Sequence, residues 1–248
     1  MEAFPTVGAG EIVWVRREQM VAVDRAMMAA LHVGPVQMME NAGRALAAVA
    51  ARRFLDSDPV GRRVVVLAGT GGNGGGAMVC ARRLTGWGAA VELVPTRRPE
   101  AYAGVPADQL DILERMGVPH LSVEALAERP APDLIVDGLV GYSLAGAPRG
   151  VVAEAIRWAN GTTVPILALD LPSGLDATAG PVYEPTVRAA ATVTLALPKT
   201  GLRAPGAPRL VGELYLADTG VPPAVYRRPE VAVGAGPVFA RGEILRVV

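Results

Sequence analysis

Residues 64–78 read VVVLAGTGGNGGGAM, an apolar run followed directly by a stretch made almost only of glycine. The run 64–68 predicts a buried strand, and the residues from Met78 onward predict a helix. The glycines therefore lie at a strand-to-helix turn, where a backbone without Cβ atoms lets the N–H groups at a helix N-terminus approach an anion. The stretch predicts a ligand-binding turn in an α/β protein, with a flexible connection as the alternative.

The same alternation of strand and helix continues along the chain. Continuous apolar runs are typical of a parallel sheet buried on both faces, and helices between them form βαβ crossovers. We therefore expect one domain over 1–248 with a doubly wound, mostly parallel sheet, a loose terminus at 1–13 and a closing segment at 224–248. The predicted strands are 63–69, 89–95, 133–137, 164–170, 189–197 and 212–217, and the predicted helices are 16–31, 36–54, 76–87, 106–116, 122–128 and 149–160.

The composition excludes several classes of protein. Lys plus Arg and Asp plus Glu each total 24, so no net charge favours nucleic acid or an anionic membrane as a partner. The single cysteine, Cys80, excludes an internal disulfide and a cysteine-rich metal site. No stretch approaches the roughly 18 apolar residues of a membrane span, and no basic flank precedes an apolar leader. We expect a cytoplasmic protein.

Polar side chains follow the predicted strands at the points where the strands end. Ligands of doubly wound sheets bind beyond these carboxyl ends, so a shared site is expected there. Taken singly, an aspartate or serine at such a point is as well explained by a cap or turn, and a lysine by a solvated surface charge. The coincidence at five strand ends favours a site formed by Asn73, Asp137, Asp170, Ser173, Lys199 (the only lysine) and Asp218.

Three familiar chemistries do not fit these segments. The glycine stretch lacks the Lys-Ser/Thr pair that ends a P-loop. Residues 69–74 match G-x-G-x-x-G, but the second strand ends in ELVPTRRP (92–99), without the acidic residue that holds an adenosine ribose, which disfavours hydride transfer. The serine of PSG is not in a G-x-S-x-G elbow and has no histidine placed to activate it, so a hydrolase triad is excluded too.

Seven segments, taken together and in order, resemble the NAD(P)H-hydrate epimerase family, the YjeF N-terminal domain, here without the dehydratase domain that often accompanies it. This resemblance implies a three-layer α/β/α Rossmann-like fold and interconversion of the R and S epimers of hydrated NADH and NADPH, a repair of damaged cofactor. It also implies a bound potassium ion. The segments are EQMVAVDRAM (18–27), MMENAGRALA (38–47), VLAGTGGNGGGAMVCARRL (66–84), VDGLVGYSLAG (136–146), LDLPSGLDATAG (169–180), TVTLALPKTGL (192–202) and GELYLADTGVPP (212–223).

The resemblance also assigns residues to the site. It implies potassium ligands at Asn73, Asp137 and Ser173, whose oxygen donors suit a hard cation, and it implies that Glu40 and Asn41 help to line the site. From the reaction, loss of hydroxide to an iminium ion and return of water, we expect Asp170 to transfer the protons, with Lys199 or Asp218 as helper. The implied substrate contacts are Gly72, Asn73, Gly74, Gly75, Gly76, Gly141, Tyr142, Ser143, Leu144, Ala145, Gly146, Ala147 and Asp170.

The glycine stretch departs from the family pattern G-x-G-N-N-G-G-D-G. Gly72 stands for the first asparagine, Gly76 for the aspartate and Ala77 for the last glycine, so an amide and a carboxylate expected to face the substrate are absent. Two hypotheses remain open: an active epimerase, or a non-catalytic ligand-binding or scaffold protein or diverted enzyme on the same fold.

The methionine-rich helices could supply a homodimer surface through Met27, Met28, Met38 and Met39, and core packing of the same residues is the alternative.

Overall fold

The computed structural model describes residues 4–178 and 182–248. Its strands are β1 (Thr6–Val7), β2 (Arg63–Ala68), β3 (Ala90–Pro95), β4 (Leu134–Gly138), β5 (Ile166–Leu169), β6 (Ala191–Leu195), β7 (Glu213–Ala217) and β8 (Ile244–Val247). In the described residues they form one eight-stranded sheet in the order β1-β8-β7-β6-β5-β4-β2-β3. Strands β2 to β7 run parallel, β8 is antiparallel to β7, and β1 is parallel to β8. The mostly parallel α/β fold expected from the sequence is confirmed.

Helices connect β2 to β3, β3 to β4 and β4 to β5, as the apolar periodicity predicted. The helix expected to end at 54 is a regular helix followed by a π-helical turn, Ala50–Phe54. The helix expected near 122–128 is only a 3-10 turn, Glu124–Glu128. The α-helices are α1 (Arg17–Leu31), α2 (Pro35–Val49), α3 (Gly72–Gly86), α4 (Val105–Arg115), α5 (Gly150–Gly161), α6 (Pro208–Val211) and α7 (Pro223–Tyr226).

The sheet is covered on both faces, which explains why its strands are continuously apolar. Successive residues of a strand point to opposite faces. Val64 packs in the cluster that includes Leu46 of α2 and Met78 of α3, whereas Val65 packs in the cluster that includes Ile156 of α5. The result is the three-layer α/β/α arrangement that the resemblance implied.

Helix α3 begins at Gly72, four residues before the predicted start at 76, so most of the glycine stretch is helix and not loop. Glycine is a poor helix former, which is why the pattern predicted a turn. Close packing explains its presence: a Cβ atom at Gly74 would overlap the backbone of Gly69, and one at Gly43 of α2 would overlap the carbonyl oxygen of Gly76. Glycine therefore lets α3 approach both the end of β2 and helix α2.

Both ends of the chain contribute to the sheet edge. The terminus expected to be loose at 1–13 forms β1 beside β8, and Ile12 is buried. A strand of two residues has no periodicity by which it could be predicted. The closing segment 224–248 supplies β8, whose Leu245 is fully buried. Residues 1–3, and residues 179 and 180 at the end of the LDLPSGLDATAG segment, lie outside the described residues.

The order of the strands fixes where a ligand can enter. Strand β2 lies between β3 and β4, so the chain reverses direction across the sheet after β3. Such a switch point leaves a crevice beyond the carboxyl ends of the two flanking strands. Here those ends are Ala68 of β2 and Gly138 of β4, which are paired in register.

Candidate active site

A cavity of about 570 Å³ opens at this switch point. Its floor is formed by the residues that follow β2, β4, β5 and β6, among them Asn73, Gly141, Asp170 and Lys199. Helices α1 and α2 form a wall. The volume lies within the range of about 300–1,000 Å³ that is usual for small-molecule sites.

Asp170 and Lys199 form a buried ion pair in this cavity. The Lys199 ammonium donates hydrogen bonds to Asp170 Oδ1 and, over 2.9 Å, to the carbonyl oxygen of Leu195. Asp170 is 1% exposed and Lys199 is 1% exposed. Thr194 Oγ1 also lies 3.4 Å from Asp170 Oδ1. The only lysine of the chain thus lies inside the protein beside a carboxylate, and the solvated surface charge considered for it is wrong.

Asp137 and Ser173 are hydrogen-bonded to each other, and neither side chain lines the cavity, whose wall includes Leu139 and Val140 of the adjoining loop. Ser173 donates from its hydroxyl to Asp137 Oδ1 over 2.6 Å and from its backbone N–H to Oδ2 over 2.8 Å, and Leu139 N–H donates over 3.1 Å. Asp137 is fully buried, and this burial raises its pKa to about 6 in spite of the three donors. In the described structure, therefore, the groups that stabilise the charged form of this carboxylate are neutral hydrogen-bond donors.

Asn73 adds a third oxygen near the same loop. Its Nδ2 donates to the carbonyl oxygen of Leu169 over 2.7 Å, which turns Oδ1 towards Gly141, where a Cβ atom would overlap it. The donors implied for potassium are thus an amide oxygen, a hydroxyl and a buried carboxylate without a cationic partner. This oxygen set fits a monovalent hard cation. Within residues 4–178 and 182–248, no group of three or more His, Cys, Asp or Glu side chains could hold a metal.

Sequence reasoning missed two ionisable residues that line the cavity, Arg97 after β3 and Asp24 on α1. The Asp24 carboxylate accepts a hydrogen bond from the hydroxyl of Tyr142, which also lines the cavity. Burial raises the pKa of Asp24, and burial together with the adjacent Asp24 raises the pKa of Tyr142. The feature of the sequence that could have indicated Asp24 is its position as an acidic residue between the apolar positions Val23 and Met27 of an amphipathic helix.

The methionines of α1 and α2 are used mainly inside the protein. Met27 is fully buried in the core, whereas Met28, Met38 and Met39 line the cavity together with Met20. Only Met28 is notably exposed, at 42%. These side chains form a soft apolar wall suited to a flat ring, and the homodimer surface proposed for them stays a prediction.

The glycine stretch contributes to the cavity only at its start. Gly72 and Asn73 line it, whereas Gly74, Gly75 and Gly76 are buried behind it. A Cβ atom at Gly76 would meet Leu169 Cδ2 at 2.8 Å and Ala42 at 3.8 Å. The expectation that a carboxylate at 76 would face the substrate is therefore wrong for this backbone, and only the amide missing at 72 leaves the cavity wall less polar.

Of the segment that follows β4, only the first part lines the cavity. Gly141, Tyr142 and Ser143 line the cavity. The next four residues implied as substrate contacts, 144–147, lie outside its wall: Leu144 is buried, and its N–H donates to Gly141 O over 3.1 Å to close a turn. This turn directs the chain away from the cavity towards α5.

Three further residues expected at the site do not line this cavity. Glu40 pairs with Arg82 and Arg83 of α3 and so holds two helices together. Asn41 donates to the carbonyl oxygen of Thr219 over 3.3 Å. Asp218 accepts the N–H of Gly220 over 2.7 Å, which stabilises a turn. A turn, the alternative considered for an aspartate at a strand end, accounts for this contact of Asp218.

Comparison with known proteins identifies the family of this chain. The family described as YjeF-related protein N-terminus matches residues 35–201. A protein named NAD(P)H-hydrate epimerase from Dehalogenimonas lykanthroporepellens is 44% identical over 227 residues, which cover 91% of this chain and 89% of that one. One of the same name from Truepera radiovictrix is 37% identical, with 85% and 90% covered.

Two other similarities concern chain length and fold. A protein named bifunctional NAD(P)H-hydrate repair enzyme Nnr, from Moorella thermoacetica, is 35% identical over 84% of this chain, which spans only 40% of that relative. The crystal structure of the yeast protein ynu0, YNL200c, superposes with a TM-score of 0.76 at 26% identity, covering 95% of this chain and 100% of that one. None of the helices in the described part has the length and apolar character to cross a membrane. By the matched region and these identities, the chain belongs to the YjeF-related protein N-terminus family.

Proposed function

We propose that this protein is an NAD(P)H-hydrate epimerase, which interconverts the R and S epimers of hydrated NADH and NADPH. The names of its relatives support this activity, and the observation that carries it is the buried Asp170–Lys199 pair in the wall of a cavity of about 570 Å³. A carboxylate oriented by an ammonium beside a substrate pocket is the kind of group that such a reaction needs. Because its substrate arises from free reduced nicotinamide cofactors, we infer that it acts in the cytoplasm.

The two ends of the substrate have matching surfaces. Gly71 and Gly72 are exposed at the N-terminus of α3, where the first N–H groups of a helix have no partner within it and attract phosphate. The methionine side chains of α1 and α2 give the cavity an apolar lining against which the hydrated nicotinamide ring packs. The ring carbon that bears the hydroxyl then lies near the floor with Asp170.

Epimerisation needs a proton at the departing hydroxyl and a proton acceptor for the returning water. When the carbon–oxygen bond breaks, its electron pair leaves with the protonated oxygen as water, and the ring nitrogen supplies the lone pair that forms an iminium ion. We assign proton exchange to Asp170, which Lys199 orients through the shared hydrogen bond.

The potassium ion implied by the family fits the oxygen donors of Asn73, Asp137 and Ser173. Bound there, it would neutralise the Asp137 carboxylate and fix the loop that follows β4. The residues themselves already hold that loop, because Val140 N–H donates to Ser173 Oγ over 2.9 Å. The ion therefore has an organising role in this proposal and takes no part in bond breaking.

The alternative of a non-catalytic protein finds no support in the altered glycine stretch. Position 76 is buried against Leu169, so its missing carboxylate removes nothing from the cavity wall. Asn73, Asp170 and Lys199 keep their places in that wall. Only position 72 has lost a polar group that faced the cavity.

The first prediction concerns Asp170. The purified protein is expected to interconvert R and S hydrated NADH faster than the spontaneous rate. Chromatographic separation of the two epimers over time measures this rate. Asp170→Asn should lower kcat/KM by at least about 100-fold, the usual contribution of a positioned proton-transfer group. Asp218→Asn, which changes a turn outside the cavity, is the matched control and should remain near wild type. A wild-type protein with no activity would contradict the proposed function.

The second prediction concerns the ion. Thermal unfolding in potassium chloride should occur at higher temperature than in an equal concentration of tetramethylammonium chloride, because a ligand bound only by the folded state stabilises it. Asn73→Ala removes one oxygen donor and should abolish this difference, whereas Asp218→Asn should retain it. An equal potassium effect in wild type and Asn73→Ala would contradict the assignment of the site.

A further inference from the structure

Asp24 is an ionisable group of the cavity to which the proposed reaction has assigned no part. It lies in the middle of α1 between Met20 and Met28, four residues before and after it, and all three line the cavity. Residues four apart share one face of a helix. A carboxylate therefore projects from an otherwise apolar methionine wall, where burial penalises its charged form.

The surroundings of Asp24 contrast with those of Asp170. Asp170 has a lysine as partner, whereas Asp24 accepts a hydrogen bond from a neutral phenol, that of Tyr142. Asp24 is close enough to Lys199 and Asp170 for both charges to affect its pKa, the first lowering it and the second raising it. Burial is the largest effect and raises the pKa. Two carboxylates in one cavity whose environments differ in this way are the usual arrangement of an acid and a base.

The other groups that face this pair are few. Tyr226 of α7 interacts electrostatically with Asp24, and Arg17 of α1 interacts with Tyr142. Tyr226 is 2% exposed, and burial keeps its pKa well above the ordinary value, so it stays neutral. Among these groups, Asp24 is the carboxylic acid, and burial raises its pKa above the ordinary value.

The stereochemistry of the reaction calls for a second group of this kind. Hydroxide must leave one face of the nicotinamide ring, and water must add to the other face. A single carboxylate would have to serve both faces, and Asp170 is held in place by Lys199, Thr194 and the backbone of Leu195. Asp24 comes from helix α1 and Asp170 from the end of β5, so the two carboxylates enter the cavity from different elements.

We propose that Asp24 is a second catalytic carboxylate, which exchanges one of the two protons that epimerisation moves while Asp170 exchanges the other. This inference rests on the proposed epimerase function. In one direction, protonated Asp24 donates its proton to the ring hydroxyl. The carbon–oxygen bond then breaks, its electron pair stays on the oxygen, and the oxygen leaves as water. The lone pair of the ring nitrogen forms the iminium ion. Water then bonds to the same carbon from the other face and gives a proton to the Asp170 carboxylate. The opposite conversion returns both protons, or exchange with bulk water resets them.

The test is the pH dependence of kcat/KM in both directions, for wild type, Asp24→Asn, Tyr142→Phe and the control Asp58→Asn, which changes an exposed turn where Asp58 accepts the N–H of Val60. Wild type should give a bell-shaped profile, because each direction needs one of the two carboxylates protonated and the other ionised. Asp24→Asn should lower kcat/KM by at least about 100-fold and, in the direction in which Asp24 donates, remove the limb in which activity falls as pH rises. Tyr142→Phe removes a hydrogen bond that lowers the pKa of Asp24, so that limb should move to higher pH.

Several results would distinguish failure of this inference from failure of the function itself. Asp24→Asn removes the cost of burying a charge. Its unfolding temperature at pH 8 should therefore not fall below that of wild type. If this holds, a loss of activity in Asp24→Asn is not caused by unfolding. If Asp24→Asn does unfold, the shift of the limb in Tyr142→Phe still supports the proposal, and an unmoved limb overturns it. An active wild type with an unchanged rate and profile in Asp24→Asn overturns the role of Asp24 alone. An inactive wild type overturns the proposed function and this inference together.

Discussion

At the scale of single residues, Asp170 combines a chemical and a conformational requirement. It directly follows β5 with φ of +67°, in the left-handed region that most side chains avoid and that aspartate tolerates. This turn of the backbone directs the carboxylate back towards β6, where Leu195 N–H lies 3.4 Å from Oδ1. Strained backbone of this kind is common where a side chain must be held for function.

The third prediction concerns its partner, Lys199. Lys199→Met should lower the free energy of unfolding at pH 7 by about 3–5 kcal/mol, because it leaves the Asp170 charge buried without a counterion. Urea unfolding measures this loss. The double variant Asp170→Asn/Lys199→Met should recover a large part of it, since no charge then remains buried.

The control for this prediction is an ion pair on the protein surface. Arg115 and Asp111 are exposed at successive turns of α4, and Arg115→Met should leave the free energy of unfolding close to that of wild type. A similarly small change for Lys199→Met would mean that Asp170 is not held as a buried charge. The comparison separates the loss of a buried ion pair from the loss of an exposed one.

At the scale of elements, α3 illustrates how packing can override helix propensity. Its first turns consist of residues that disfavour helix, yet they are helical because the backbone must lie against Gly69 and α2. Asn73, in the first turn, bonds across the cavity floor to Leu169 of β5. The start of α3 is therefore fixed by its neighbours in space, and it delivers both the anion-binding N–H groups and one candidate potassium ligand.

The fourth prediction compares two glycines of the same helix. Gly74→Ala should destabilise the protein by about 1–3 kcal/mol or more, because its Cβ atom would overlap the backbone of Gly69, which cannot move aside without shifting β2. At the other end of α3, no atom lies within 4 Å of a Cβ at Gly86, and Gly86→Ala should stabilise by up to about 1 kcal/mol. Thermal unfolding measures both. Equal effects at the two positions would contradict the close packing of the helix start.

At the scale of the whole molecule, the sheet order explains why residues far apart in sequence share one cavity. Asp24, Asn73, Tyr142, Asp170 and Lys199 come from five separate segments between α1 and the residues after β6. Parallel strands bring their carboxyl ends to one edge, which the strand pattern predicted. The placement of α1 and α2 over that edge was not predicted, because an amphipathic helix indicates that a face is buried but not what covers it.

The sequence by itself determined the α/β class, the six long strands and the row of polar residues at their ends, because apolar runs and turn residues are local properties of the chain. It also determined the family, through the order of its segments. Only the tertiary structure decided that the glycines form a helix start, that Gly76 faces Leu169 and not the cavity, and that Glu40 and Asp218 lie outside the cavity wall. It alone brought Asp24 to Tyr142. These features depend on contacts between residues distant in sequence, and no local pattern records which side chains the folded chain brings together.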